Sequence, residues 1–316
     1  MNDLAGRTVL ITGAGGFVGR HAARRFAERG AHVHGTGGPE PADLPLAGWH
    51  ESDLREPETL AAAIVAARPD VVLHLAGQSS AAHSFGEPIE TFHVNALGTW
   101  HLLEALRAHA PRARTVVVTS GEIYGPGEPG SRAAESAAQR PLSPYAISKA
   151  AADALAAIAA ARGQHVVRAR AFGHTGPGQE SRFVIPTVAE QIAAAEAGRA
   201  EPVIRVGNLD VVRDLGDVRD VVRAYLAMIE RAPSGAAYNV CTGVGVRLAD
   251  VVRDLVARAR APIRIEQDPA RMRPADVPYL VGDGAAIARD CGWQPEIPLA
   301  RTLDDVLDEW RAKAHA

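Results

Sequence analysis

Short apolar runs rich in β-branched residues alternate with longer Ala/Leu/Arg-rich stretches through the first 170 residues. Thr8–Thr12, His32–Thr36, Val71–Ala76, Thr115–Ser120 and Val166–Ala171 read as strands, and the stretches between them carry helical spacing. Alternation of this kind specifies a parallel sheet with right-handed crossovers and helices on both faces, a doubly wound α/β fold. After about residue 172 the alternation weakens, and Gly/Pro-rich loops at 173–179 (GHTGPGQ) and 269–274 (PARMRP) interrupt it. The expected division is a nucleotide-binding domain over 1–172 and a smaller, mainly substrate-binding α/β region over 173–316. Segments at about 208–245 should return to the first domain.

A chain of 316 residues buries a large core without disulfide or metal staples. No run approaches the roughly 18 apolar residues of a membrane span. The opening MNDLAGRTVLITGAGG reaches a strand at once, with no secretory signal pattern, so a cytoplasmic location is expected. Cys241 and Cys291 lie far apart without a metal-type partner and read as reduced structural thiols. A formal charge of -3 without a basic block argues against nucleic acid as a partner. His32 and His34 share a strand face, but no third ligand stands at metal spacing.

Gly13-Ala14-Gly15-Gly16-Phe17-Val18-Gly19 follows the first strand and opens a helix with Val18, Ala22 and Phe26 on one face. Gly13 suits a tight turn, Gly16 lets backbone N–H groups approach a pyrophosphate, and Gly19 lets helix and sheet pack closely, so a dinucleotide in a Rossmann fold is expected. The carboxylate that grips a free adenosine 2′-hydroxyl should stand at the end of the second strand, where Gly37 and Gly38 stand instead. The missing carboxylate weakly favours NADP(H) over NAD(H), and since no arginine replaces it, use of both cofactors stays open. Asp53-Leu54 is a candidate for the adenine edge.

Only Lys149 and Lys313 are lysine among 34 basic residues, which singles out positions needing an ammonium. Tyr145 and Lys149 lie one helical turn apart behind Ser143-Pro144, a helix start. A neighbouring ammonium and a positive nicotinamide ring would lower the phenol's pKa and make it a usable acid. Tyr and Lys four apart often only pack, but here they follow a strand ending in Ser120 by one connection. That brings Ser120 to the carboxyl edge where open parallel sheets bind ligands.

The ordered series TGAGGFVG, DVVLHLAGQSS, NALGT, TSGEIYG and YAISK resembles the extended short-chain dehydrogenase/reductase family over nearly the full length. The resemblance implies Ser120, Tyr145 and Lys149 as the catalytic set, with Lys149 also holding the nicotinamide ribose. It implies Asn95 as a buried strut, and Phe17, Val18, Leu75, Ala76 and Gly77 beside the cofactor. Farther on, HTGPGQ, RVGNLDVVRDLGDVRDVV, YNVCTG and RPADVPYLVGD resemble the GDP-sugar branch, its 4-keto-6-deoxymannose reductases more than its 4,6-dehydratases. This implies a GDP-sugar substrate held by Gln78, Ser79, Ser120, Glu122, Gly173, His174 and Val184, with Arg213 and Arg273 on the diphosphate and Asp276 on the ribose.

Two departures bear on the reaction. Gly173 stands where the branch usually has Asn, and Glu122 stands where dehydratases carry the base that removes the C5 proton. Gly121 occupies the place of the acid in another dehydratase branch. The expected activity is reduction of a GDP-4-keto-6-deoxyhexose, against the alternatives of a 4,6-dehydratase, a 4-epimerase or a cofactor-sensing binding protein. A homodimer is expected through Asn95–Ala108 and the helix of Tyr145.

Overall fold

The computed structural model describes residues 4–272 and 277–315. In chain order its elements begin with β1 (Thr8–Thr12), α1 (Phe17–Glu28), β2 (His32–Gly37), β3 (Gly48–Glu51), α2 (Pro57–Ala67), β4 (Val71–His74), α3 (Ala81–Gly86) and α4 (Pro88–Phe92). A π-helical turn (His93–Leu97), α5 (Gly98–His109), β5 (Arg114–Ser120), a 3₁₀ turn (Gly121–Tyr124), α6 (Pro144–Ala161), β6 (Val166–Ala171) and β7 (Gly173–Thr175) follow. Then come α7 (Val184–Glu196), β8 (Val203–Val206), β9 (Val212–Asp217), α8 (Val218–Arg231), β10 (Ala237–Val240), β11 (Gly245–Arg247) and α9 (Leu248–Ala257). The chain ends with β12 (Arg264–Gln267), a 3₁₀ turn (Pro269–Arg271), β13 (Tyr279–Leu280), α10 (Ala285–Cys291) and α11 (Leu299–His315).

β4 is buried at every position and β1 at all but its first, so helices must cover both faces of the sheet. Seven strands pair in parallel in the order β10-β6-β5-β4-β1-β2-β3. The order reverses at β1, so a crevice opens beyond the carboxyl ends of β1 and β4. β1 and β6 coincide with the expected strands, and β2 and β5 are one residue longer. β4 stops at His74 rather than Ala76 because its partner β1 ends opposite it, at Thr12.

On one face Phe26 of α1, Tyr225 of α8 and Trp293 join Ile11, Leu73 and Tyr238 in the largest core cluster. On the other, Leu60 and Ile64 of α2 and Leu102 and Leu106 of α5 pack on Leu10 and Val72. A separate core joins Ile185, Val188 and Ile192 of α7 to Ile204, Leu255, Leu303 and Val306. The expected return of 208–245 is divided: β10 completes the main sheet and α8 fills the main core, whereas β9 centres a second sheet with β7, β11 and β13. Cys241 and Cys291 are buried free thiols. Among the described residues no helix is long and apolar enough to cross a membrane. His34 pairs not with His32 but with His50, stacked on the neighbouring strand with Nδ1 and Nε2 3.1 Å apart.

Candidate active site

Gly13 takes φ +71°, and a Cβ there would lie 2.9 Å from the Ala76 backbone, so only glycine lets the β1 and β4 ends approach this closely. Gly16 caps α1, its N–H donating to Gly13 O at 3.0 Å. A side chain on Gly19 would run into Gly13 O and Ala14, so this glycine lets α1 sit close on the turn that ends β1. Phe17 stacks on His174, ring centroids 6.1 Å apart, and meets His21 edge-on. Val18 packs against the main core behind it.

Beside this loop lies a cleft of about 420 Å³ lined by Gly13, Gly15, Gly16, Arg20, Gly37, Gly38, Pro39, Pro41 and Trp49. Asp53 does not reach toward it with a free carboxylate. Arg55 Nε holds that group at 2.9 Å, and the guanidinium keeps it down at about 2. Leu54 is buried against Gly98, bracing α5.

Leu75 and Ala76 donate their N–H groups to Thr12 O and Oγ1, both at 3.2 Å. Thr12 Oγ1 also meets His74 Nδ1 at 2.8 Å, and His74 Nε2 meets Thr99 Oγ1 at 2.9 Å. Burial lowers the His74 pKa to about 3, so the imidazole is a neutral brace. Beyond it the backbone at Gly77 passes between two side chains: a Cβ there would lie 2.7 Å from Asn95 Oδ1 and 3.4 Å from Lys149 Nζ. Asn95, buried in the π-helical turn, accepts from Gln78 N at 2.8 Å and donates to Gln78 O and Ser148 Oγ, both at 2.9 Å. The Gln78 side chain is itself engaged by Ser80 and by Thr91 Oγ1, while Ser79 is exposed.

Ser120 ends β5, and its Oγ accepts from Glu122 N at 3.1 Å and lies near enough to the Tyr145 phenol to act on its pKa. Ser143 caps α6 by accepting from Ala146 N at 3.1 Å, with Pro144 next, so Tyr145 stands in the first turn. One turn on, Lys149 Nζ donates to Val118 O at 3.2 Å. The lowering of the phenol's pKa suggested by the sequence draws on a bound nicotinamide ring, and the protein's own groups shift it upward. Burial pushes it up and the Glu122 carboxylate adds to this, the Ser120 hydroxyl opposing them. Burial also brings the Lys149 ammonium down to about 8. In this arrangement the buried Tyr145 phenol keeps its proton, with Ser120 beside it.

Gly173 has a structural reason: a Cβ there would lie 2.7 Å from Asp214 O, across the pairing of β7 with β9. An asparagine at this position would force the two strands apart. His174 Nδ1 lies 2.9 Å from Phe172 O, so the ring is fixed between that carbonyl and Phe17. Val184 opens α7 and packs on its core. Arg213, on β9, donates to Val212 O at 3.0 Å. Arg273 and Asp276 lie outside the described residues.

A buried network beneath the site escaped the sequence reading. Arg170 forks onto Asp153 with Nε and Nη2 at 3.0 and 2.8 Å, and Arg168 reaches the same carboxylate at 3.0 Å. Arg170 Nη1 also donates to Tyr124 Oη at 2.8 Å, tying α6 and β6 to the turn that carries Glu122. Asp153 continues the Tyr145–Lys149 helical spacing, which was the one available signal. Arg20 was missed too, though it directly follows Gly19.

These residues fit a dinucleotide. Glycines leave room at Gly13, Gly37 and Gly38, the backbone at Gly77 runs from there to Lys149, and Tyr145 stands one helical turn away. The family model for GDP-mannose 4,6 dehydratase matches residues 10–306. The GDP-6-deoxy-D-mannose reductase of Pseudomonas aeruginosa is 37% identical over 96% of this chain and 97% of its own. The solved structure of RMD from Pseudomonas aeruginosa complexed with NADPH superposes with a TM-score of 0.84 at 34% identity, covering 97% of this chain and 99% of that one. A Thermus thermophilus UDP-glucose 4-epimerase in complex with NAD gives 0.86 at 29% identity, over 96% and 98% of the two chains.

Proposed function

The chain belongs to the GDP-mannose 4,6-dehydratase family, and from that membership we propose that it is an NAD(P)H-dependent reductase of a GDP-4-keto-6-deoxyhexose, yielding a GDP-6-deoxyhexose such as the rhamnose or 6-deoxytalose isomer. The carrying observation is the meeting of Ser120, at the carboxyl end of β5, with the Tyr145 phenol, and of Lys149 Nζ with the backbone path of Gly77. A bound NAD(P)H supplies the hydride that reduces the C4 ketone. Gly13 and Gly16 line the pyrophosphate path, and Lys149 holds the nicotinamide ribose hydroxyls. Tyr145 gives its proton to the C4 oxygen, and Ser120, beside the phenol, steadies that oxygen as charge develops. Arg213 on β9 would offer its guanidinium fork to the substrate diphosphate.

The similarity to a reductase named for a GDP-6-deoxy sugar supports this substrate class. Glu122 supports the second reading, a 4,6-dehydratase, because its carboxylate stands close enough to Tyr145 to raise the phenol's pKa. A panel of nucleotide sugars with NADPH and NADH separates the two. The reductase oxidises one cofactor per product, whereas a dehydratase or epimerase leaves nicotinamide absorbance unchanged. Tyr145→Phe should lower turnover by two or more orders of magnitude with cofactor affinity nearly intact. Unchanged turnover would remove Tyr145 from the reaction.

A further inference from the structure

Which nicotinamide cofactor the cleft selects rests on the reading above that it holds one. In doubly wound folds the adenosine ribose meets the end of the second strand, where a carboxylate suits a free 2′-hydroxyl and an arginine suits a 2′-phosphate. Here that end is Gly37-Gly38, which offers neither. The cleft's arginine comes instead from α1: Arg20 lines the same 420 Å³ space as Gly13, Gly37 and Gly38. Trp49 forms one side, its ring 2.5 Å from a Cβ built on Gly35 and its Nε1 donating to Gly38 O at 3.0 Å. Pro41 closes the slot from the β2–β3 loop, 3.1 Å from a Cβ built on Gly15.

Arg20 is the one charged side chain among the described residues lining this slot. Its guanidinium is ion-paired with Asp43 of the same loop. Arg24 shares that carboxylate, its Nη2 lying 2.8 Å from the other oxygen. Asp43 thus has a second guanidinium partner in Arg24 when Arg20 leaves it. The Asp43 side chain is 52% exposed, so water competes for its pairs and Arg20 is readily exchanged to a stronger anion. A phosphate monoester is such an anion, because its oxygens match the guanidinium fork.

We propose that Arg20 reads the adenosine 2′-phosphate and makes the cleft selective for NADP(H) over NAD(H), with Arg24 retaining Asp43 when Arg20 turns to the phosphate. The rival assignment gives the choice to Asp43, as acceptor for ribose hydroxyls, with the opposite selectivity.

Calorimetric titration of the full chain with NADPH, NADH, 2′,5′-ADP and 5′-AMP tests this without turnover. Wild type should bind NADPH roughly 10- to 100-fold tighter than NADH, and 2′,5′-ADP tighter than 5′-AMP by a similar factor. Arg20→Ala should erase both gaps by weakening only the 2′-phosphorylated ligands, its NADH affinity serving as the control for folding. Arg20→Lys should keep part of the gap, and added salt should narrow it in wild type. Asp43→Asn should preserve the preference for NADPH. Equal affinities in wild type, or an unchanged ratio in Arg20→Ala, would overturn the proposal while leaving the cofactor site intact. Loss of NADH binding in Asp43→Asn would overturn it in favour of the carboxylate. Failure of all four nucleotides to bind would sink the cofactor reading along with it.

Discussion

Lys149 carries an ammonium into a buried position, and burial lowers its pKa from 10.5 to about 8. Between these values the unfolded chain binds more protons than the folded one. The cost of burying the charge is therefore fully present below about pH 8 and fades as the pH rises toward 10.5. At roughly 1.4 kcal/mol per pKa unit that cost is about 3 kcal/mol, less about 1 kcal/mol for the bond to Val118 O. Lys149→Met should thus raise the melting temperature at pH 7 by roughly 2–6 °C while destroying activity, and the gain should shrink by pH 10. Thermal melts of both proteins at the two pH values test this, and a loss at pH 7 would show that the Val118 bond outweighs desolvation.

The helix that presents Tyr145 and Lys149 is fixed at three heights: by the Ser143 cap, by Ser148 to Asn95, and by Asp153 to Arg168 and Arg170. Asp153 and Arg170 are both buried, so removing the carboxylate leaves the Arg170 guanidinium charged and unpaired away from water, with the half-buried Arg168 beside it. Asp153→Asn should cost about 3 kcal/mol, read as a lower urea midpoint with an unchanged m value. Adding Arg170→Met should restore part of that loss, whereas additive losses would show no coupling. Most of these elements were legible. β1 and β6 followed from apolar runs, and the start of α6 from Ser143-Pro144. The π-helical turn at His93–Leu97 had no such signature, because it forms where Asn95 must reach both Gln78 and Ser148.

Across the whole molecule, five of the ten exposed large hydrophobic side chains among the described residues lie on adjoining elements: Ile89, Phe92, Leu97, Ile147 and Ile158. Their elements α4, the π-helical turn and α6 pack on one another. We propose that this apolar face joins two copies of the chain, as the sequence reading of Asn95–Ala108 and α6 suggests. Sedimentation should then find a dimer for the wild type and a monomer for Ile89→Glu/Ile158→Glu. A wild-type monomer would rule the interface out.

Local sequence by itself determined the doubly wound sheet, the glycine turn and the spacing of Tyr145 and Lys149 one turn apart at the start of α6, because strand period, turn glycines and helix caps act over a few residues at a time. Tertiary structure decided what depends on distant partners. Arg170 meets an aspartate 17 positions away, Arg20 one 23 positions away, and Gly173 is dictated by the carbonyl of Asp214 on a neighbouring strand. The direction of the Tyr145 pKa belongs to the same class. Spacing placed an ammonium one turn from the phenol, but burial, which no local pattern records, governs which way the proton is held.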